Sequence, residues 1–151
     1  QEELHRQLSA RGFGAVAGTY YVQALSVSSL AWIASIPIGA LATAILVVNN
    51  LRDIETDARA NKHTLAVRLG DGPTRRYYLL LLAVAYLVPA WLWWSGQADT
   101  WVLLPWLSLP LALQLAARMR HDSGLALNGS LVRTARLEVV HGLLFALGLA
   151  L

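Results

Sequence analysis

Two aspartates, Asp53 and Asp57, are the residues of this sequence whose type and spacing best suit chemistry. They belong to the string Asn49-Asn50-Leu-Arg-Asp-Ile-Glu-Thr-Asp, which ends a long apolar run. If this segment is helical, Asn49, Asp53 and Asp57 share one face at one-turn intervals, with Asn50 beside them. Carboxylates one turn apart repel each other, and more strongly near a low-dielectric membrane. A bound divalent cation would offset that repulsion.

The available ligand types favour Mg²⁺ as that cation. The chain contains no cysteine, and the candidate ligands are all oxygens. Mg²⁺ usually binds one or two carboxylates and completes its octahedron with water and substrate phosphate. The basic residues Lys62 and Arg68 follow the motif and could contact a diphosphate from the other side. The pattern therefore predicts a cradle for a lipid diphosphate, and a solvated, charged loop is the alternative.

The apolar runs around the motif predict the helices that position it. Charged residues make up 14% of the chain, whereas soluble domains carry about 25%. The charge-free run 12–51 is long enough for two membrane spans of about 20 residues each. Further apolar runs cover 77–98, 100–117 and 137–151. We expect an all-α membrane protein with about five transmembrane helices.

The charge pattern indicates how this protein lies in the bilayer. All 12 Lys and Arg fall before the first span, between the second and third, or between the fourth and fifth. Short loops rich in Lys and Arg stay in the cytoplasm, and with five spans these three segments share one side. We expect a multi-pass protein of the cell membrane with cytoplasmic active-site loops. The net charge of +3 could suggest nucleic acid, but 6 tryptophans and the apolar runs favour lipid over that partner.

The extended motif resembles a known family. The string from Asn49 to Asp57, followed by Lys62-His-Thr-Leu-Ala-Val-Arg68-Leu-Gly, is similar to the second aspartate-rich motif of the UbiA superfamily of intramembrane prenyltransferases. Upstream, Gly-Thr-Tyr-Tyr-Val-Gln at 18–23 resembles the branch that prenylates 1,4-dihydroxy-2-naphthoate in menaquinone biosynthesis. The resemblance extends from about residue 14 to the C-terminus.

The resemblance implies a nine-helix bundle with two aspartate-rich motifs facing each other at its cytoplasmic mouth. Each motif would bind Mg²⁺ on an allylic polyprenyl diphosphate, whose prenyl group is transferred to dihydroxynaphthoate. Asp53 and Asp57 would be metal ligands and would act in catalysis together with Lys62. The remaining matched positions would contact substrate or line the cavity: Asn49, Asn50, Arg68, Tyr20, Tyr21 and Gln23.

One part of the family pattern is missing from this sequence. The first motif, a cluster of the type Asn-Asp-x-x-Asp, has no counterpart here. We therefore expect residues 1–13 to form a polar N-terminal segment and 14–151 to form the C-terminal half of a UbiA-type domain. The start lacks the apolar core of a signal peptide, and a first residue other than Met fits a processed or partial chain.

Such a chain would need the N-terminal half of the bundle as a partner and would be inactive alone. Two other functions remain open. One is a UbiA-type prenyltransferase with another acceptor. The other is a catalytically inert membrane fragment that retains lipid-diphosphate binding.

Overall fold

The structure is a computed structural model that describes residues 29–151. Tyr20, Tyr21, Gln23, the first predicted span and the proposed 1–13 segment lie outside the described residues. The described part contains helices and no strand, in the order α1 (Ser29–Arg52), α2 (Ile54–Arg59), α3 (Leu65–Leu69), α4 (Asp71–Trp94), the 3-10 helix Thr100–Ser108, α5 (Leu109–Arg118), the 3-10 turn Gly124–Ala126, and α6 (Leu127–Ala150). The prediction of an all-α protein is confirmed.

Three stretches of the described chain are long and apolar enough to cross a membrane. They are Ser29–Arg52, Asp71–Trp94 and Thr100–Arg118, which correspond to the second, third and fourth predicted spans. The last helix, α6, is 24 residues long but begins at Leu127, well before the apolar run at 137–151. It therefore includes Arg133 and Arg136, which the sequence assigned to a loop, and these charges lower its mean hydropathy.

The fourth span is not a uniform α-helix. Its first part, Thr100–Ser108, is a 3-10 helix, and α5 begins only at Leu109. Pro105 lies inside the 3-10 helix and Pro110 lies at the start of α5. Proline donates no backbone hydrogen bond and its ring clashes with the carbonyl four residues earlier, which disfavours α-helix upstream of it. The first turn of a helix tolerates proline, so α5 begins where Pro110 permits.

The core forms where α1, α4, α5 and α6 meet. Each helix contributes a fully buried side chain to it, respectively Leu41, Tyr78, Leu115 and Leu137. Lipid tails are as apolar as these side chains, so helices in a membrane associate through close packing and interhelical hydrogen bonds. Both are found here.

Two buried hydroxyl pairs join the spans. The Tyr78 hydroxyl on α4 lies 2.9 Å from Thr134 Oγ1 on α6, and Thr134 donates its own proton to the Ser130 carbonyl at 2.7 Å. Because that proton is in use, Tyr78 is the donor to Thr134. Tyr86 likewise pairs with Ser108 at 2.7 Å.

Replacing Tyr78 with Phe should lower the free energy of unfolding by about 1 kcal/mol, within the range of interhelical hydrogen bonds in membranes. The loss is modest because Thr134 keeps its bond to Ser130. Thermal unfolding in detergent measures it. The matched control is Tyr77→Phe, since the Tyr77 ring is only partly buried. Equal losses from the two variants would contradict a specific role for the Tyr78 hydroxyl.

Gly148 marks the closest approach between two helices. A Cβ atom added at this position of α6 would lie 2.1 Å from the Trp101 carbonyl oxygen and 3.1 Å from the Val102 Cα. The first distance is impossible for real atoms, and the second is tighter than most Cβ contacts. The backbone of α6 therefore rests directly on the 3-10 helix because residue 148 has no side chain.

Candidate metal–diphosphate site

The segment 49–57 is helical with one local interruption. Helix α1 ends at Arg52 and α2 begins at Ile54, and Asp53 between them has φ −95° and ψ 10°. The Asp53 amide still donates to the Asn49 carbonyl at 3.1 Å, and the Asp57 amide donates to the Asp53 carbonyl at 2.8 Å. These bonds keep the helical register, so Asn49, Asp53 and Asp57 follow one another at one-turn intervals.

A helix-ending turn folds Lys62 back towards Asp57. The Lys62 amide donates to the Asp57 carbonyl at 2.9 Å, and the Asn61 amide donates to the Ala58 carbonyl at 3.1 Å, which together form a Schellman motif. This motif needs a left-handed residue, and Asn61 supplies it with φ 53°. Lys62 Nζ lies 3.4 Å from Asp57 Oδ1, and the Asp57 side chain is 12% exposed.

Asp53 has a tighter basic partner. Arg52 Nε donates to Asp53 Oδ1 at 2.7 Å, and Arg52 Nη2 donates to Asp53 Oδ2 at 2.6 Å. These hydrogen bonds hold the pKa of Asp53 below its usual value, against the effect of partial burial and aided by the charges of Arg52 and Lys62. Asp53 is therefore an ionised oxygen donor at neutral pH.

The other predicted contacts lie on either side of this pair. Asn50 is half-buried on α1, and Arg68 is exposed on α3. Helix α3 begins after Thr64, whose hydroxyl accepts from the Val67 amide at 3.5 Å. It ends at Gly70, whose φ of 83° suits glycine and turns the chain directly into α4.

One polar residue near the site has no signal in the sequence. Asn128, on the first turn of α6, accepts a hydrogen bond from Arg52 Nη1 through its Oδ1 at 3.1 Å. The two residues are 76 positions apart. Helical spacing rules connect residues only within one element, so this contact could not be predicted from spacing.

A second arginine connects the ends of three helices beside the site. Arg75 on α4 forms two hydrogen bonds with the Asp71 carboxylate, at 2.7 and 2.9 Å. Its Nη1 also donates to the main-chain carbonyls of Met119 and Asp122, which follow α5, the latter at 2.9 Å. Asp122 in turn accepts from Ser130 on α6 at 2.8 Å. Arg75 thereby fixes the loop from which α6 and Asn128 begin.

Replacing Arg75 with Gln should lower the free energy of unfolding by about 2 kcal/mol, as expected for hydrogen bonds made by a charged group. It should also speed hydrogen exchange in residues 119–126. Arg76→Gln is the matched control, because the neighbouring Arg76 is exposed. If hydrogen exchange in that loop were the same in both variants, the hydrogen bonds of Arg75 would not be what orders residues 119–126.

The donor set of the site suits Mg²⁺. The carboxylates of Asp53 and Asp57 and the amide oxygens of Asn49 and Asn50 are the hard ligands this ion prefers. Within residues 29–151, no group of three or more His, Asp or Glu side chains is arranged to hold a metal ion. Mg²⁺ does not require one, since it commonly binds one or two carboxylates together with water and phosphate oxygens.

Comparison with known proteins identifies the family. The sequence pattern of the UbiA prenyltransferase family matches residues 8–128. The chain therefore belongs to the UbiA prenyltransferase family, and the resemblance noted in the motif is confirmed.

Its relatives include enzymes with one activity in common. A 1,4-dihydroxy-2-naphthoate octaprenyltransferase of Mycobacterium tuberculosis is 47% identical over 110 residues, which are 73% of this chain and 37% of that protein. The protein of the same name in Escherichia coli is 36% identical over 141 residues, 93% of this chain and 46% of that protein. Human UbiA prenyltransferase domain-containing protein 1 is 34% identical over 139 residues, 91% of this chain and 39% of that protein. The chain thus spans less than half the length of these relatives.

Proposed function

We propose that this chain provides one of two Mg²⁺-dependent half-sites of a prenyltransferase. The complete enzyme would transfer a polyprenyl group from an allylic diphosphate to 1,4-dihydroxy-2-naphthoate, a step of menaquinone biosynthesis. The observation that carries the proposal is the pair Asp53 and Asp57, one helical turn apart at the end of an apolar helix and each beside a basic side chain. Family membership and the names of the relatives support the reaction and the acceptor.

The residues of the site would have different roles in binding the diphosphate and in promoting its departure. Asp53 and Asp57 would hold Mg²⁺, which when bound stabilises the negative charge that develops on the departing diphosphate. Lys62 is 51% exposed and linked to Asp57 by a single ion pair, so it can turn towards a phosphate oxygen. Arg68 on α3 would add positive charge, and Asn49 and Asn50 would orient bound water or phosphate.

The position of the site separates the charged and apolar parts of the substrate. The polar motif follows directly after α1, so the diphosphate would remain at the aqueous rim while the prenyl tail lies among the spans. Tyr20, Tyr21 and Gln23 would line the cavity for the acceptor ring. We place the motif and its loops on the cytoplasmic side of the cell membrane, in accordance with the distribution of Lys and Arg. Enclosure by helices would protect the allylic cation from water.

We assign residues 14–151 to the C-terminal half of the bundle, preceded by a polar segment at 1–13. The first aspartate-rich motif would then come from the N-terminal half, which makes that half an obligatory partner. The comparisons support a partial chain, because the matched residues cover 37% and 46% of the two bacterial enzymes.

The test is to express the chain alone and together with the N-terminal half of a full-length relative. Assembly is checked by co-purification, and prenylation of dihydroxynaphthoate is assayed in membranes with Mg²⁺ or with EDTA. We expect product only when both halves and Mg²⁺ are present. Full activity of the isolated chain would refute the half-site assignment, and activity that survives EDTA would refute the metal.

The acceptor is tested separately. The relatives named UbiA prenyltransferase domain-containing protein 1 match 91% of this chain, and because that name specifies no acceptor, a different aromatic acceptor is a second candidate. A panel of hydroxylated aromatic acids and quinols, offered to the assembled halves, should show preference for dihydroxynaphthoate. Preference for another aromatic ring would assign the chain to the branch of the family that uses that acceptor. Diphosphate binding without transfer to any acceptor would favour an inert membrane protein.

A further inference from the structure

We propose that Arg52 is an internal counter-cation of this half-site, which competes with a divalent cation for Asp53, and that Asn128 on α6 belongs to the same site as the tether of Arg52. The proposal rests on the proposed function, because it assumes that Asp53 binds a divalent cation. It adds two positioning residues to the site. One of them comes from a helix that the aspartate-rich motif does not include.

The Arg52 guanidinium occupies the oxygen atoms that a metal ion would use. It donates to both carboxylate oxygens of Asp53, at 2.6 and 2.7 Å, and to the Asn49 amide oxygen at 2.9 Å. A further hydrogen bond goes to the Asn128 amide oxygen at 3.1 Å. The planar fork of arginine matches a carboxylate in two places at once, so this is the strongest form of ion pair available to Asp53.

Arg52 and a metal ion compete for the same carboxylate. A Mg²⁺ ligand must bring an oxygen lone pair to about 2.0–2.1 Å from the ion, while one lone pair of each Asp53 oxygen already accepts from an N–H group of Arg52. A second positive charge at that distance would also be repelled by the guanidinium. Metal binding at Asp53 is therefore strongest when the Arg52 side chain leaves the carboxylate.

The two carboxylates of the site differ in this respect. Asp57 is paired with Lys62 at 3.4 Å, through one oxygen and an ammonium on a flexible, half-exposed stem. Asp53 is held by two short hydrogen bonds to a side chain that is 26% exposed. Release of Arg52 from Asp53 is accordingly a larger change than release of Lys62 from Asp57.

Asn128 gives the displaced side chain a place to remain. Its bond is made to Arg52 Nη1, whereas Asp53 is held by Nε and Nη2, so the guanidinium can leave the carboxylate without losing Asn128. The contact also joins the end of α1 to the first turn of α6. Metal binding at Asp53 would in this way change the contact between Arg52 and the start of α6.

The experiment measures Mn²⁺ affinity of the whole chain in lipid nanodiscs by electron paramagnetic resonance. Arg52→Gln should bind Mn²⁺ about three- to five-fold more tightly, because a competing pair of this kind is removed. Arg59→Gln is the control, since it removes the same charge from an exposed residue that pairs with Glu55. It should change the affinity by less than about two-fold. A merely structural role for Arg52 would weaken binding instead.

Chemical rescue distinguishes competition between Arg52 and Mn²⁺ from a change in the shape of the site. Arg52→Ala should also bind Mn²⁺ more tightly, and methylguanidinium added below denaturing concentrations should reverse the gain. Asn128→Ala should weaken Mn²⁺ binding about two-fold, because the displaced Arg52 side chain loses the acceptor that holds it. Unchanged affinity in Asn128→Ala would remove Asn128 from the site.

Failure of this inference is distinct from failure of the proposed function. If Asp53→Asn weakens Mn²⁺ binding but Arg52→Gln leaves it unchanged or weaker, the metal site stands and the counter-cation role of Arg52 is wrong. If Asp53→Asn has no effect on Mn²⁺ affinity, the metal assignment itself is wrong and both proposals fall.

Discussion

Replacing Asp57 with Asn should lower prenyl transfer by about 100- to 1000-fold when the chain is assembled with the other half of its bundle. That range is typical for loss of one preorganised group that stabilises charge in a transition state. The amide keeps the size of the side chain but removes the negative charge that would hold Mg²⁺. Lys62 loses its partner at 3.4 Å, but it is 51% exposed and remains hydrated. The fold should therefore survive, and thermal unfolding should show little change.

The control for this variant lies between the two aspartates. Glu55→Gln makes the same chemical change on the exposed side of the helix, where Glu55 is 82% exposed and pairs only loosely with Arg59 at 3.7 Å. Surface pairs of this kind contribute little, so activity should remain within about two-fold of the parent. Equal losses in Asp57→Asn and Glu55→Gln would mean that general charge, rather than a metal ligand, determines the rate.

Replacing Gly148 with Ala should lower the free energy of unfolding by about 2–3 kcal/mol, at the upper end of the cost of overpacking a core. The reason is steric, since the added Cβ would lie 2.1 Å from the Trp101 carbonyl oxygen. Backbone cannot rotate aside as a side chain can, so α6 and the 3-10 helix must separate. Thermal unfolding in detergent measures the change, and hydrogen exchange in residues 100–108 should rise with it.

Helix α6 supplies its own controls for the Gly148 variant. A Cβ at Gly142 would meet only the Ile38 Cδ1 atom at 3.4 Å, and a Cβ at Gly129 would meet nothing within 4 Å. Gly142→Ala should be nearly neutral, and Gly129→Ala should stabilise the chain by up to about 1 kcal/mol through helix propensity. We expect the free energy of unfolding to fall progressively from the Gly129 variant through the Gly142 variant to the Gly148 variant. If all three variants behaved alike, the close approach at Trp101 would not matter to stability.

The features predicted well from the sequence are those that depend on neighbours along the chain. The one-turn spacing of Asn49, Asp53 and Asp57 follows from helical periodicity, and the structure keeps it through the bonds at Asp53. The second, third and fourth predicted spans were placed correctly, because a long charge-free run leaves few alternatives. Their ends were less accurate. Helix α6 begins early because arginine is a good helix former and continues a helix beyond its apolar part.

The features that were missed depend on contacts between distant segments. No sequence rule joins Arg52 to Asn128 or identifies Gly148 as the glycine against a backbone. His141 is a similar case. The structure buries it fully with its ring against Tyr86, at 5.0 Å between centroids, and within residues 29–151 neither ring nitrogen has a hydrogen-bond partner. Only the three-dimensional arrangement of α4 and α6 determines that environment.

The continuous helical register from α1 into the aspartates has a consequence for the lipid around the protein. The 24 residues of α1 rise about 36 Å at 1.5 Å each, a few ångströms more than the roughly 30 Å hydrocarbon layer of a typical bilayer. Hydrogen bonds at 3.1 and 2.8 Å carry Asp53 and Asp57 along with that helix. Any tilt that matches α1 to a thicker or thinner bilayer must therefore raise or lower both carboxylates together, relative to the headgroups. Bilayer thickness would thus set how deep the proposed diphosphate substrate must reach to meet the two aspartates.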